Sequence, residues 1–233
     1  MLHIYTIPVT PFSQNARIFF ETEQKSAVVV DPGGDVDLLL ARLRKLEFEG
    51  LKILLTHAHI DHAGGVSECL RKIKAEFKIE ASLVAHSDPI LRGTIQRQAK
   101  LYGLSAEEYQ NCPEPEIVLG EGDEFSIGAV KAKVSWVPGH APDHLTLFLD
   151  VPEFVLHEGE EAELIKAPVL LAGDTLFAGS IGRTDLPGGS MPVLLKNIRE
   201  KLFVLPEETV VLCGHGPATT IGEEKRFNPF LQG

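Results

Sequence analysis

The stretch that decides the fold of this chain is Leu51-Lys52-Ile53-Leu54-Leu55-Thr56-His57-Ala58-His59-Ile60-Asp61-His62-Ala63-Gly64-Gly65. Its apolar first third predicts a buried strand, and the glycines at its end predict a tight loop that follows the strand. Three histidines and one carboxylate fall within the six residues His57–His62. Imidazole nitrogens and carboxylate oxygens are ligands that Zn²⁺ and similar cations prefer, and they are costly to bury unpaired. The stretch therefore predicts a metal site on a loop after a strand.

Three further candidate ligands lie downstream, each in a turn that contains glycine. His140 ends the run Val137-Pro138-Gly139-His140, and Asp174 and His215 each follow an apolar run and a glycine. Ligands placed after several strands are what converging strand ends would assemble into one site. We therefore expect these three side chains to join the first run in a single constellation of seven ligands.

The order of these motifs resembles the metallo-β-lactamase superfamily. The motifs are HxHxDH at 57–62, PGH at 138–140, GDTLF at 173–177 and GHGP at 214–217. Within the superfamily, the chain is similar to short glyoxalase II-type, hydroxyacylglutathione hydrolase-like proteins. Further stretches that resemble this branch are residues 7–15, 31–34, 182–185 and 228–230, so the resemblance covers nearly all 233 residues.

The resemblance implies an α/β (α+β) fold, the metallo-β-lactamase αββα sandwich. In that fold two mixed β-sheets pack face to face with helices outside, here over one domain that spans residues 1–233. The residues alone, with strands and helices in both halves, also allow a doubly wound α/β sheet.

The pattern of apolar residues predicts the positions of the individual elements. Asp35 is the expected N-cap of a helix that continues through Leu46. An acidic stretch, Glu153–Glu163, is interpreted as a surface hairpin or loop insertion without a function. Helices are expected over 66–73 and 191–202, and residues 88–102 are amphipathic. Strands are expected over 17–20, 27–30, 51–55, 80–85, 125–127, 129–137, 144–149, 167–172 and 209–213.

The resemblance also assigns roles to the seven ligands. One metal ion takes the side chains of His57, His59 and His140, and the other takes those of Asp61, His62 and His215. Asp174 matches the carboxylate that bridges both ions, and the expected catalytic carboxylates are Asp61 and Asp174. The cofactor implied is a pair of divalent metal ions, with zinc preferred and iron or manganese also accepted by these ligands.

The chemistry implied by this ligand set is hydrolysis by a metal-bridging hydroxide, because two metal ions lower the pKa of a shared water toward about 7. A thiolate, whose thiol has an ordinary pKa of about 8.5, leaves without a dedicated general acid, whereas an amide nitrogen generally needs protonation. The leaving group therefore favours a small thioester, and the resemblance to glyoxalase II-type proteins implies that it is a hydroxyacylglutathione (S-lactoylglutathione), which yields glutathione and a hydroxy acid.

Three other functions stay open at the level of sequence. A mononuclear Fe(II) persulfide dioxygenase of the same fold would use His57, His140 and Asp174 as its triad of ligands. A lactonase of the same superfamily would use the same metals on an oxygen ester. β-Lactamases typically lack the bridging aspartate, so Asp174 argues against that activity. A metal-binding protein without catalysis is disfavoured because structural zinc sites are usually closed by four ligands.

Four residues outside the ligand set are candidates for supporting roles. Arg183, on a glycine-rich loop, is predicted to bind a substrate carboxylate or to pair with a neighbouring acid. Arg226 and Asn228 are predicted to bind substrate in the same way. His144 is predicted to orient a metal ligand through a hydrogen bond.

Composition restricts the partners. The formal net charge is −11, which argues against a nucleic-acid partner because phosphate recognition requires clustered Lys and Arg. Three scattered cysteines provide no disulfide framework. The first residues lack the basic and apolar regions of a signal peptide, and no run approaches the roughly 20 apolar residues that span a bilayer. We therefore expect a cytoplasmic enzyme that acts on a small molecule without contacting membranes.

Overall fold

A computed structural model of the chain describes residues 1–232. Its strands are β1 (Leu2–Val9), β2 (Gln14–Glu21), β3 (Ser26–Val30), β4 (Gly50–Leu54), β5 (Ser82–His86), β6 (Ile117–Leu119), β7 (Glu124–Ile127), β8 (Val130–Trp136), β9 (Leu145–Leu149), β10 (Phe154–Glu158), β11 (Glu161–Ile165), β12 (Val169–Gly173), β13 (Leu176–Phe177), β14 (Ser180–Ile181), β15 (Val210–Cys213) and β16 (Thr219–Thr220). Its α-helices are α1 (Val36–Leu43), α2 (Ile60–Ala63), α3 (Val66–Phe77), α4 (Ile95–Leu101), α5 (Met191–Asn197) and α6 (Ile221–Phe227).

Two large mixed sheets form the centre of the molecule. One has the strand order β11-β10-β1-β2-β3-β4-β5-β6, and the other has the order β16-β15-β12-β9-β8-β7. In the first sheet, β3, β4, β5 and β6 are parallel neighbours. In the second, β12 and β15 are parallel. Parallel strands bring their carboxyl ends to the same edge, so the loops that follow them can meet.

Three apolar layers show that both faces of each sheet are covered. In β4, Ile53 packs with the helices outside the first sheet, and its neighbour Leu54 packs between the two sheets. In β12, Leu171 lies between the sheets while Leu170 packs with α5 on the outer side of the second sheet. This alternation follows from the pleat, which sends successive side chains to opposite faces. The αββα sandwich predicted from the resemblance is confirmed.

The first helix differs in detail from its prediction. It ends at Leu43, so Leu46 lies beyond it, and Asp35 occupies the N-cap position with φ +45° and no side-chain bond to the helix. Instead, the Asp35 carboxylate accepts a hydrogen bond from the Thr10 backbone N–H at 2.7 Å. The Asp35 side chain therefore connects the start of α1 to the loop after β1.

The acidic stretch 153–163 forms a β-hairpin, as predicted. Its strands β10 and β11 are antiparallel, and β10 pairs in parallel with β1 at the edge of the eight-stranded sheet. Phe154 is completely buried between the sheets and anchors the hairpin, whereas β11 is largely exposed. The hairpin therefore extends the sheet. None of the helices in residues 1–232 combines the length and apolar character that crossing a bilayer requires.

Candidate metal centre

The first run of ligands lies at the carboxyl end of β4, an interior strand of the eight-stranded sheet. His57 and His59 precede the helical turn α2 on extended backbone, and the turn then carries Asp61 and His62. Alternate residues of extended backbone point to the same side, so His57 and His59 face one volume together. The helical turn redirects the next two ligands, which allows one short run to supply two groups of donors.

The other three ligands reach this edge from the second sheet. Asp174 directly follows β12, and His215 follows β15 after one glycine. Gly173 of β12 is paired with Cys213 of β15, so the two loops are neighbours. His140 lies in the loop between β8 and β9. The structure thus brings all seven predicted ligands together where the two sheets meet.

The first group of donors consists of His57, His59 and His140. His140 Nε2 lies 3.2 Å from His57 Nε2 and 2.9 Å from His59 Nδ1. Three imidazole nitrogens directed at one point are the arrangement that a shared cation requires.

The second group consists of Asp61, His62 and His215. His215 Nε2 lies 3.2 Å from Asp61 Oδ2, and His62 Nε2 lies 3.9 Å from the same oxygen. Asp61 and His215 are partly exposed, at 19% and 28% of their side-chain surface, whereas His62 is fully buried. The second group therefore faces the opening of the site.

Asp174 stands between the two groups. Its Oδ1 lies 3.3 Å from His62 Nε2, and its Oδ2 lies 3.5 Å from His215 Nε2 and 3.6 Å from His140 Nε2. One carboxylate therefore reaches donors of both groups, which is the geometry expected of a bridging ligand. Gly214 makes this approach possible, because a Cβ at that position would lie 2.0 Å from Asp174 Oδ1.

Two buried donor atoms of the cluster have no hydrogen-bond partner within the described residues. They are Nε2 of His62 and Oδ1 of Asp174. The other ring nitrogen of His62, Nδ1, lies 2.9 Å from Asp31 Oδ2. The two atoms face each other at 3.3 Å, so without a metal ion they form an ion pair when the His62 ring is protonated. A metal ion fits this position once it displaces that proton, because the neutral imidazole nitrogen and the carboxylate oxygen are then both electron-pair donors.

The electrostatics separate the two groups. Burial lowers the pKa of His57 well below its ordinary value, and burial lowers the pKa of His59 to about 3 and that of His140 to a smaller extent. These imidazoles are neutral at neutral pH and free to donate electron pairs. Burial also acts against protonation of His62, but the Asp174 and Asp61 carboxylates outweigh it and raise the pKa of His62. The pKa of His215 is raised because the hydrogen bond to Asp61 outweighs burial.

Asp31 is a supporting residue to which sequence reasoning gave no role. Its Oδ1 accepts a hydrogen bond from the Thr56 backbone N–H at 2.7 Å, and its Oδ2 accepts one from Thr56 Oγ1 at 2.6 Å. The same Oδ2 faces His62 Nδ1. One buried carboxylate thus fixes both the start of the metal loop and the orientation of a ligand. The only signal in the sequence was the stretch Asp31–Gly34 directly after a strand. Gly33 within it is required, because a Cβ there would lie 1.5 Å from the Asp61 carbonyl oxygen.

Two other side chains hold the backbone between the first two histidines. Gln98 of α4 accepts a hydrogen bond from the Ile60 N–H at 2.9 Å and donates one to the Ala58 carbonyl at 3.1 Å. Asp143 accepts a hydrogen bond from the Ala58 N–H at 3.0 Å. The backbone on both sides of His59 is therefore clamped. The sequence around Gln98 carries no motif that indicates this role.

The loop of His215 is held by the start of β2. Asn15 donates from its side chain to the carbonyls of Cys213 at 3.1 Å and Gly216 at 2.8 Å. Arg17, also buried, donates to the Cys213 carbonyl at 2.8 Å. The residues that flank this ligand are thus fixed by contacts from the other sheet.

His144 lies where its predicted role requires. Its Nε2 accepts a hydrogen bond from the Asp174 backbone N–H at 3.0 Å, and its ring stacks on that of His57 with centroids 4.7 Å apart. It therefore contacts one ligand of the first group and the carboxylate residue that stands between the groups.

The three predicted substrate-binding residues have different positions. The Arg183 guanidinium is exposed and forms two 2.7 Å hydrogen bonds with Asp185, while its carbonyl lies 2.8 Å from His140 Nδ1. Arg226 lies on α6 and pairs with Glu207 at 2.7 Å. None of the contacts described for Arg226 involves one of the seven ligands. Asn228 is completely buried, with its amide donated to the Ser180 carbonyl at 2.9 Å. The polar atoms of Asn228 thus close the end of α6, and these contacts provide no support for the predicted substrate role.

Comparison with known proteins identifies relatives along almost the whole chain. The profile of the Metallo-beta-lactamase superfamily matches residues 10–156 and 163–215. Hydroxyacylglutathione hydrolase GloC of Haemophilus influenzae is 34% identical over 236 residues, which covers 99% of this chain and 98% of GloC.

Two solved structures share the fold and a third of the sequence. The crystal structure of BLEG-1 B3 metallo-beta-lactamase is 34% identical with a TM-score of 0.75, over 99% of this chain and 100% of that one. The crystal structure of TTHA1623 in a di-iron-bound form is 32% identical with a TM-score of 0.74, over 97% of this chain and 99% of that one. The relatives differ in the substrate or metal for which they are named, so the substrate has to be argued from the site.

Proposed function

The chain belongs to the metallo-beta-lactamase superfamily and is a metal-dependent hydrolase of that kind, and on this premise we propose that it hydrolyses a small thioester. The favoured substrate is a hydroxyacylglutathione such as S-lactoylglutathione, which yields glutathione and a hydroxy acid. The observation that carries the proposal is the position of Asp174 within 3.6 Å of donors from both groups. The similarity to GloC supports the same substrate class.

The proposal includes two divalent metal ions, with zinc preferred and iron or manganese as alternatives. His57, His59 and His140 would hold one ion, Asp61, His62 and His215 the other, and Asp174 both. The position of the Asp174 carboxylate near His62, His140 and His215 is the observation that fits a pair of ions. When bound, such ions polarise a carbonyl and lower the pKa of water toward about 7.

The protein's own contribution is to keep the carboxylates of Asp174 and Asp61 ionised. Burial would raise the pKa of Asp174, but His62 and His140 outweigh it and lower that pKa strongly. The pKa of Asp61 is lowered mainly by His62, against the effect of burial. Both carboxylates therefore stay ionised at neutral pH, as ligands that would hold the metal ions and position the attacking water.

The leaving group favours a thioester over an amide. Arg183 lowers the pKa of Asp185 to about 2, so this carboxylate beside the site stays ionised and cannot donate a proton at neutral pH. Asp61 and Asp174 are ionised as well. A thiolate, with an ordinary thiol pKa of about 8.5, leaves without such a donor, whereas an amine leaving from an amide needs one.

A site with a single metal ion uses fewer of the observed contacts. A single Fe(II) held by His57, His140 and Asp174 would leave the convergence of Asp61, His62 and His215 without a purpose. A lactonase remains compatible with the metal groups. β-Lactam hydrolysis is supported by the similarity to BLEG-1 and opposed by the ionised state of Asp61, Asp174 and Asp185.

The test is an assay of the purified protein on S-lactoylglutathione with metal content measured on the same sample. Thioester cleavage with about two metals per chain is the expected result. Three parallel assays measure oxygen uptake with glutathione persulfide, lactone hydrolysis and β-lactam opening. Faster turnover in one of these three than of the thioester would overturn the proposal. A sample stripped with a chelator and then reloaded with zinc, iron or manganese separates the choice of metal from the choice of substrate.

A further inference from the structure

Helix α4 is held against the metal loop, and the residue that caps its end lies near a second loop of the site. Gln98 clamps the backbone of the metal loop through Ala58 and Ile60. Tyr102 follows Gln98 by four residues and is the C-cap of the helix. The clamp therefore connects the helix that ends at Tyr102 to the metal loop.

Tyr102 contacts the flank of the site that belongs to the second group. Its ring meets the Phe12 ring edge to face, with centroids 5.3 Å apart and an interplanar angle of 74°. The Phe12 carbonyl in turn lies 3.2 Å from His215 Nδ1. On the other side of His215, the Phe177 ring is 6.3 Å away. This flank is aromatic and apolar.

The flank that belongs to the first group carries a cation. Arg183 is exposed and forms two 2.7 Å hydrogen bonds with Asp185, and its carbonyl contacts His140. Phe12 and Tyr102, on the side of His215, and Arg183, on the side of His140, are together called the arc, which has an apolar end and a charged end.

The apolar end of this arc has surface left to cover. Phe12 is 39% exposed and Tyr102 is 46% exposed, beside the partly open Asp61 and His215. Large aromatic rings left open next to a reaction site are typical of a surface that receives an apolar part of a ligand. We propose that Phe12 and Tyr102 form a wall that binds the acyl chain of the thioester, so that acyl groups larger and more apolar than lactoyl are preferred.

The charged end of the arc explains why the wall receives the acyl half. Glutathione carries carboxylates, and the only cation in the arc is Arg183, at the opposite end from Phe12. A thioester placed with its thiol half toward Arg183 directs its acyl half toward the rings of Phe12 and Tyr102. This inference rests on the proposed thioester hydrolysis and names the part of the substrate that the chain discriminates.

The first experiment measures binding without turnover. S-Methyl-, S-butyl- and S-hexylglutathione are thioethers that the enzyme cannot hydrolyse, and calorimetry with the zinc-loaded protein measures their Kd. A fully buried methylene improves affinity about fourfold, so a half-covered wall predicts about twofold per methylene. We expect Kd to fall from methyl to hexyl in the wild type.

Variants of Tyr102 test whether its aromatic ring binds the alkyl chain of these ligands. In Tyr102→Ala, the affinity for S-hexylglutathione falls about tenfold and that for S-methylglutathione less than twofold. Tyr102→Phe retains the length dependence, because the wall requires the ring and not the hydroxyl. Leu101→Ala is the matched control, since Leu101 is the adjacent residue and is 77% exposed. Metal content equal to that of the wild type shows that each variant keeps its site.

The outcomes separate this inference from the proposed function. Equal losses of affinity for the methyl and hexyl ligands in Tyr102→Ala would show that the ring contacts the glutathione half. That result would contradict the proposed wall. Unchanged affinity for both, or no length dependence in the wild type, would overturn it too. A second series compares kcat/KM for S-lactoyl-, S-propionyl- and S-hexanoylglutathione. If the thioethers bind with the expected length dependence and none of these thioesters is cleaved, the wall stands and the proposed hydrolysis fails.

Discussion

The two groups of metal ligands differ in how completely the protein buries them. His57, His59 and His140 are buried, and the backbone between the first two is clamped by Gln98 and Asp143. The second group contains two partly exposed ligands, Asp61 and His215. The first group, called the floor below, is therefore held rigidly inside the protein. The second group faces the solvent, from which a substrate arrives. The pKa values follow the same division, since burial lowers those of the first group, whereas the neighbouring carboxylates raise those of His62 and His215.

The largest effect should come from removing what the two groups share. Asp174→Ala deletes the carboxylate that reaches both, so we expect activity to fall by more than about 10³-fold. Metal content should fall from about two ions per chain to one or fewer. Activity assays and elemental analysis of the same sample measure both. Full activity with unchanged metal content would contradict a shared ligand.

A matched pair of histidine substitutions sharpens the comparison. His57→Ala opens a buried position in the floor, so we expect loss of metal together with a free energy of unfolding lower by about 2 kcal/mol or more. His215→Ala removes a ligand that is 28% exposed. We expect it to lose one metal ion and about 10²-fold in activity while the unfolding midpoint of the metal-free protein changes little. Thermal unfolding of the chelator-treated proteins provides the measurement. Equal destabilisation by both substitutions would remove the distinction between floor and open side.

The support beneath His62 tests how far the second group depends on buried structure. Asp31→Ala leaves the Thr56 N–H and the His62 ring without their partner, which should cost about 3 kcal/mol of stability. Metal affinity should fall about 10- to 100-fold. Asp31→Asn keeps one acceptor oxygen and serves as the control that recovers part of both. Chemical denaturation and competition with a chromogenic chelator measure the two effects, and identical values for Ala and Asn would show that the carboxylate is not the orienting group.

The smallest expected effect is the number of protons released when the metal ions bind. Without metal, the pKa of His62 is raised well above its ordinary value, so this imidazole holds a proton at pH 7. The pKa of His215 is also raised, whereas burial lowers the pKa values of the first group. Metal binding to the second group at pH 7 should therefore release about one or two protons, and its affinity should weaken as the pH falls. Binding to the first group should release none from its imidazoles. Calorimetry in buffers of different ionisation enthalpy counts the protons, and equal release for both ions would contradict the division.

The predictions from sequence succeeded where the information was local or where the motifs resembled a known family. The strand before the metal loop and the hairpin at residues 154–165 follow the predicted pattern, because apolar periodicity and turn residues act over a few neighbours. The sandwich fold was predicted from the resemblance, since the residues alone also allowed a doubly wound sheet. Asn228 shows what local information misses, because the fold buries its side chain against Ser180 and Glu224, which lie elsewhere in the chain or on the preceding turn.

The ligands themselves were determined by the sequence, because seven metal-binding side chains in turns after apolar runs are costly to bring together unless they share a cation. The resemblance also predicted how they are grouped, and only the tertiary structure decided what holds them. Asp31 reaches His62 across 31 residues, and Tyr102 meets Phe12 across 90 positions in the chain. No spacing in the sequence encodes such contacts, since they arise when separate strands and helices pack around a common core. The sequence therefore predicted the candidate metal ligands, and packing decided which of them are buried and which face the solvent.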